Sequence, residues 1–250
     1  AKIASVVGAQ SGATGQRSGT QAVKAGAGAG AAAAANRSAC AMLSPEQIRE
    51  QVGLFRQAVS APINLNFFCH EDLRLEPVAL QEWRLRLIPY YQEYGLDPNQ
   101  ELPKAARAPF SSQHAELLEE IKPEVVSFHF GLPSPELLER VKKAGALVMS
   151  SATTTAEAVW LQEHGADIII AQGVEAGGHR GLFLNNDLST QLGTFALLPQ
   201  VVAAVDVPVV AAGGIADAAG VRAAMALGAR AVQVGTAYLC CHEASTSAVH

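Results

Sequence analysis

From residue 61 onward, short β-branched runs alternate with helical stretches, and this alternation constrains the fold more than any other feature of the chain. The runs are 62–68 (PINLNFF), 124–130 (EVVSFHF), 146–150 (ALVMS), 167–171 (DIIIA), 207–212 (VPVVAA) and 231–234 (AVQV). They are apolar nearly throughout instead of every second residue, as in strands buried on both faces. Helices are expected between them. Ser44-Pro45-Glu46 and Ser134-Pro135-Glu136 each supply an N-cap followed by proline at the first helical position. The stretches ending at Gly145, Gly165 and Gly228 stop where a glycine past the last turn belongs. Strand–helix alternation implies parallel strands with right-handed crossovers. A chain of 250 residues suits one such domain. The expected fold class is therefore α/β, a (β/α)8 TIM barrel spanning 1–250, with an inserted helical segment after the third strand. That insertion, 71–109, contains an amphipathic stretch at 81–95 and an irregular stretch with prolines at 96–109, and is expected to cap the active-site side. The first third is poorer in signal: 4–35 is rich in Gly, Ala, Ser and Gln. Two further strands are required there, and 5–7 and the Ala/Gly run are the only candidates; a flexible low-complexity segment is the alternative.

Composition excludes several function classes. The net charge is -5 and no basic stripe is interleaved with aromatics, so nucleic acid is not an expected partner. Without a global positive field, a small anion must be held by local backbone dipoles. No apolar run approaches the ~20 residues of a membrane span, and 25–35 lacks the basic start of a signal segment. Cys40, Cys69, Cys240 and Cys241 form no C-x-x-C pair, which suits free thiols in a reducing cytoplasm. Neither the cysteines nor His70 and His242 have metal-ligand spacing, so no metal site is expected.

Three constellations carry chemistry. Residues 171–181 (AQGVEAGGHRG) follow a strand directly, and Gly173, Gly177, Gly178 and Gly181 let main chain approach a ligand and expose N–H donors. Gln172 at the strand end can hydrogen-bond the edge of a bound ring, and His179 is the one side chain in the loop that titrates near neutral pH, a candidate general base. The competing reading is a mobile glycine loop with a solvated histidine. Second, Gly213-Gly214 after one strand and Gly235-Thr236 after the next have the order of a barrel phosphate cradle; two ordinary βα turns are the bland alternative. Third, Asn64, Asn66 and Phe68 share one strand face. Two inward asparagines need partners, either a bound polar ring or each other. His129, near a strand end, either lines a pocket or is a satisfied core histidine.

At these residues the chain resembles the nitronate monooxygenase family. The matching stretches are NLNFFCH (64–70), VVSFHFGLP (125–133), AQGVEAGGHRG (171–181), PVVAAGGIA (208–216) and VQVGTAYL (232–239). The resemblance implies a TIM barrel, non-covalent FMN, and oxidation of alkyl nitronates or nitroalkanes by O2. It implies that Asn66, Gln172, Gly177 and Gly178 contact FMN. Gly213 and Gly214 would hold its phosphate, with Gln233, Val234, Gly235 and Thr236 as the second half of the cradle. His179 would be the active-site histidine. Two departures stand out. The family's first strand carries Pro-Met against the flavin, whereas 9–12 here read AQSG, so no N-terminal contact carries over. The family's domain also continues past the position of His250, so its C-terminal part is expected to be absent. Two alternatives remain open: an FMN-dependent enoyl-acyl-carrier-protein reductase using NAD(P)H, and a flavin-free phosphate-binding barrel. A homodimer is left open.

Overall fold

Ile63–Phe68 is buried at all six positions, and the strands after it repeat the pattern. In the computed structural model, which describes residues 6–8, 35–40, 43–71, 76–100 and 108–240, eight strands pair in parallel and in sequence order. They are β1 (Val6–Gly8), β2 (Ala35–Ala39), β3 (Ile63–Phe68), β4 (Val125–His129), β5 (Leu147–Ala152), β6 (Ile168–Gln172), β7 (Val209–Ala212) and β8 (Ala231–Gln233). Between and after them lie α1 (Pro45–Ala58), α2 (Pro77–Glu93), α3 (Ser112–Ile121), α4 (Pro135–Lys143), α5 (Thr155–Glu163), α6 (Thr194–Ala204), α7 (Ala218–Ala226) and the short α8 (Thr236–Leu239). The expected strands and helices from residue 44 onward form with end shifts of at most four residues. Residues 9–12, Cys241 and most of the Ala/Gly run lie outside the described residues.

The two faces of the sheet have different tasks. Ile63, Leu65 and Phe67 of β3 and Val126 and Phe128 of β4 point outward and pack with Ile48, Val52 and Phe55 of α1 and Leu117 and Leu118 of α3. A second outer cluster joins Ile169 and Ala171 of β6 to Leu197, Leu198 and Val201 of α6. Each such fully buried side chain contributes roughly 1.5–3 kcal/mol. The inner face carries Val125, Met149, Ile168, Ile170, Val210, Ala212 and Ala231. Toward the C-terminal ends of the strands the inner face turns polar, with Asn66, Ser127, His129, Ser151 and Gln172 all buried; Asn64 is buried nearer the start of β3.

The chain divides into two compact units. Glu71–Ala108 is one, and Ala1–His70 with Pro109–His250 is the other. Within the smaller unit α2 starts four residues before the expected amphipathic stretch and buries none of its residues. The larger unit carries every candidate site residue.

Candidate active site at the strand ends

Gln172 is the last residue of β6 and is 7% exposed. Its Nε2 donates to the carbonyl of His179 at 2.9 Å, and its Oε1 accepts the N–H of Gly181 at 2.8 Å. His129, the last residue of β4 and 2% exposed, brings Nε2 to within 3.1 Å of the same His179 carbonyl. A carbonyl only accepts, so this bond requires the proton on Nε2. Arg180 donates through Nη1 and Nη2 to the carbonyls of Gly173 and Val174, each at 2.6 Å. Arg180 thus ties the far end of the glycine-rich loop to its start, and Gln172 and His129 tie it to the ends of β6 and β4. The His179 ring lies against Phe68 and Phe130, with centroids 5.2 and 6.0 Å away.

Two expectations change in detail. The Gln172 amide, expected at a ring edge, has both heteroatoms engaged with the loop's main chain, which makes it a positioning residue for His179. Asn66 donates through Nδ2 to the Ser127 carbonyl and hydroxyl, both at 3.0 Å, because the register sets Asn66 opposite Ser127. Only its oxygen is left for a ligand. Among the described residues Asn64 finds no partner for either amide atom, so the two asparagines do not satisfy each other.

The cradle residues come together. Gly213 and Gly214 both take positive φ, 121° and 65°. A Cβ on Gly213 would lie 2.6 Å from Thr194 Oγ1, and one on Gly177 would lie 2.7 Å from Thr236 Oγ1. The loop after β6 therefore meets the turns after β7 and β8 at van der Waals range. Gly178 is also left-handed, at φ 82°. Gly235, at φ -121°, is not, and Thr236 opens α8. Val234 packs its side chain into the outer cluster, so only its main chain can serve a ligand. Gln172, Ala212 and Gln233 sit side by side across β6, β7 and β8, with the small Ala212 between two amides. Gln233 Oε1 is buried without a donor among the described residues. Glycine main-chain amides, the Thr236 hydroxyl and the Gln233 acceptor are the donor and acceptor types that a phosphate tail and a ring N–H require, so the residue types present are compatible with a flavin nucleotide. No group of three metal-ligating side chains occurs among the described residues.

Several contributors have roles that the motifs do not announce. Glu175 caps α6 from a distance: its Oε2 accepts the Thr194 N–H at 2.8 Å and the Thr194 hydroxyl at 2.9 Å. Burial pushes the Glu175 pKa up, but its own amide, Thr194 and the Arg180 charge outweigh that, and the carboxyl sits below its ordinary value of 4.5. Glu157, 1% exposed on α5, accepts four bonds. Thr153 N and Oγ1 donate to Oε2, both at 2.7 Å, while Phe183 N and Leu184 N donate to Oε1 at 2.7 and 3.3 Å. The sequence signal for Glu157 is the spacing Thr154-x-x-Glu157, a capping-box pattern. His129, Arg180 and Glu175 leave no such signal, because their partners are main-chain atoms or distant in sequence.

A cleft of about 630 Å3 opens elsewhere, between α4 and α5, lined by Leu138, Lys142, Trp160 and His164 among others. It contains none of the strand-end polar groups or cradle glycines.

The family model for nitronate monooxygenase matches residues 3–250. A nitronate monooxygenase of Paraburkholderia phytofirmans is 42% identical over 206 residues, covering 81% of this chain and 56% of that protein. One of Pseudomonas aeruginosa is 41% identical over 205 residues, 81% of this chain and 57% of its own. The chain thus spans somewhat more than half the length of these relatives. Among solved structures, nitroalkane oxidase from Streptomyces ansochromogenes aligns with a TM-score of 0.76 at 32% identity, over 86% of this chain and 61% of that one. FabK from Thermotoga maritima aligns at 0.60 and 26% identity, over 86% of this chain and 54% of its own.

Proposed function

We propose that this chain, which belongs to the nitronate monooxygenase family, carries the FMN site of an enzyme that oxidises alkyl nitronates and nitroalkanes with O2 to carbonyl compounds and nitrite. In this reading 1–250 is one domain interrupted by a 71–109 insertion, and the eight strands close into a (β/α)8 barrel. The nearness of β1 to β8 supports the closure. The main-chain amides of Gly213, Gly214, Gly235 and Thr236 hold the FMN phosphate, Gly177, Gly178 and the Val234 main chain flank it, and Gln233 Oε1 and the Asn66 oxygen accept N–H groups of the ring. Bound flavin supplies the electron-transfer chemistry.

His179 removes the proton from the carbon that bears the nitro group, a contribution of about 10²–10⁴-fold. A preformed nitronate has already lost that proton, so there the imidazole only orients the anion. Gln172 and His129 fix the imidazole by its own carbonyl, and Phe68 and Phe130 keep water from its flanks. The observation that carries the reading is this double grip on the His179 carbonyl, at the strand ends where the positive-φ glycines also meet. The similarity to a nitronate monooxygenase and to a nitroalkane oxidase points the same way. The free thiols of Cys69 and Cys240 suit a reducing cytoplasm.

The test is the visible spectrum of the purified protein followed by oxygen uptake. His179→Ala is expected to keep its flavin, to lose about 10²–10⁴-fold on nitroalkane and to lose far less on preformed nitronate. Equal loss on both substrates removes the base assignment. A colourless protein that stays colourless with added FMN removes the flavin.

A further inference from the structure

β4 sets up an expectation that its next residue breaks. Ser127 and His129 face inward, while Val126 and Phe128 face the helices. Strict alternation would send residue 130 outward with Phe128. Instead Phe130 takes φ 67°, a left-handed conformation that bulky side chains rarely adopt, and Gly131 follows at φ 88°. The pair turns the Phe130 ring back onto the inner face. There its centroid lies 4.6 Å from His129, 5.3 Å from Phe68, 6.0 Å from His179 and 6.2 Å from His70. The backbone is held in this state by its surroundings. Ser150 donates to the Gly131 carbonyl at 2.7 Å, and the Phe183 ring sits 3.3 Å from where a Gly131 Cβ would be. Strain of this kind persists only where neighbours over-determine it, and it clusters at ligand sites. Phe68 opposite is buried at 7% exposure, whereas Phe130 is half-buried and keeps an open side.

We propose that Phe130 is the specificity-determining wall of the substrate space: its ring, turned inward beside His179, limits the length of the alkyl group carried by the nitronate carbon. This rests on the nitronate reading above. Short alkyl groups lie along the open side of the Phe130 ring; longer ones meet its edge.

The test compares wild type, Phe130→Gly and Phe130→Leu, each loaded with FMN, in two readouts. One is kcat/KM for the nitronates of nitroethane through nitrohexane. The other is calorimetric binding of straight-chain carboxylates from propanoate to octanoate, whose planar anionic heads mimic a nitronate but cannot be oxidised. Wild type should plateau after the short chains. Phe130→Gly, which removes both ring and strain, should go on gaining about fourfold per added methylene, with Phe130→Leu between them. Should the glycine variant not fold, the leucine variant reads the same trend. Parallel length profiles for all three proteins, or no carboxylate binding by any of them, overturn the proposal. Length-dependent carboxylate binding that the variants shift, without nitronate oxidation, retains the wall and overturns the nitronate reading instead.

Discussion

His179 is held by its carbonyl oxygen, and the strength of that grip is a residue-scale matter. Gln172→Glu keeps the shape and the acceptor for Gly181 N–H but sets an oxygen against the His179 carbonyl. Leaving that nearly buried pair mismatched should cost about 1–3 kcal/mol, read as a lower denaturant midpoint together with faster hydrogen exchange at residues 179–181. An unchanged midpoint would mean that the amide is not the clamp. Glu157 acts one step further out. Glu157→Gln replaces one carboxylate oxygen by an N–H₂ facing N–H donors, and should cost about 3 kcal/mol, because hydrogen bonds to a charged acceptor are the stronger kind. The same reasoning marks the limit of the sequence at this scale. Gln172 and His179 stand out by residue type and place, but a bond from a side chain to a distant carbonyl leaves no residue-type signature. The clamp by His129 and Arg180 is therefore invisible before folding.

At the scale of elements, what was legible depends on whether an element's ends are signalled locally. α1 carries Ser44 as cap and Pro45 as first residue, and α4 begins the same way; both are predicted from those signals. α6 is not, because Gly193 at its N-cap offers no side chain and the capping carboxylate comes from Glu175, nineteen residues earlier. α3 starts with His114 accepting from the Ser111 N–H, where the familiar pattern has Glu or Gln. The distant cap of α6 has a pH consequence. Glu175's pKa is lowered on folding, so its contribution is complete above the ordinary carboxylate value of 4.5 and is lost as pH falls through the lower folded value. Acidification below about 4.5 should loosen the loop at 173–180 in wild type, while Glu175→Gln should already be loose at pH 7 and change less; proteolysis after Arg180 across that range distinguishes the two. The β7 turn makes its own demand. Gly213→Ala places a methyl 2.6 Å from Thr194 Oγ1 at a φ of 121°, at a cost on the order of 1–3 kcal/mol in backbone strain alone. The variant should lose flavin before it loses its fold, measured as the ratio of visible to ultraviolet absorbance.

At the scale of the whole molecule, the βα rhythm announces the architecture from residue 61 onward because strands buried on both faces have to be apolar at successive positions. β2 escapes that rule, with Ala-Asn-Arg-Ser-Ala in place of an apolar run, and its pairings with β1 and β3 identify it. The insertion is legible as an interruption of the rhythm, and its ends carry a further consequence. The chain leaves the larger unit after His70 and re-enters at Pro109, and Phe110 N–H donates to the Phe68 carbonyl at 2.7 Å. Departure and return are therefore adjacent, and a loop between two such points closes with a few residues. Replacing 71–108 by about three glycines should leave a cooperatively unfolding protein with an undiminished signal from its helices and strands, apart from α2. Every residue assigned here to FMN or to proton removal lies outside the excised segment, so the shortened protein should still take up flavin with near-parental affinity. Folding without flavin uptake would place an essential cofactor contact within 71–108. Failure to fold at all would mean that the two units are one thermodynamic entity.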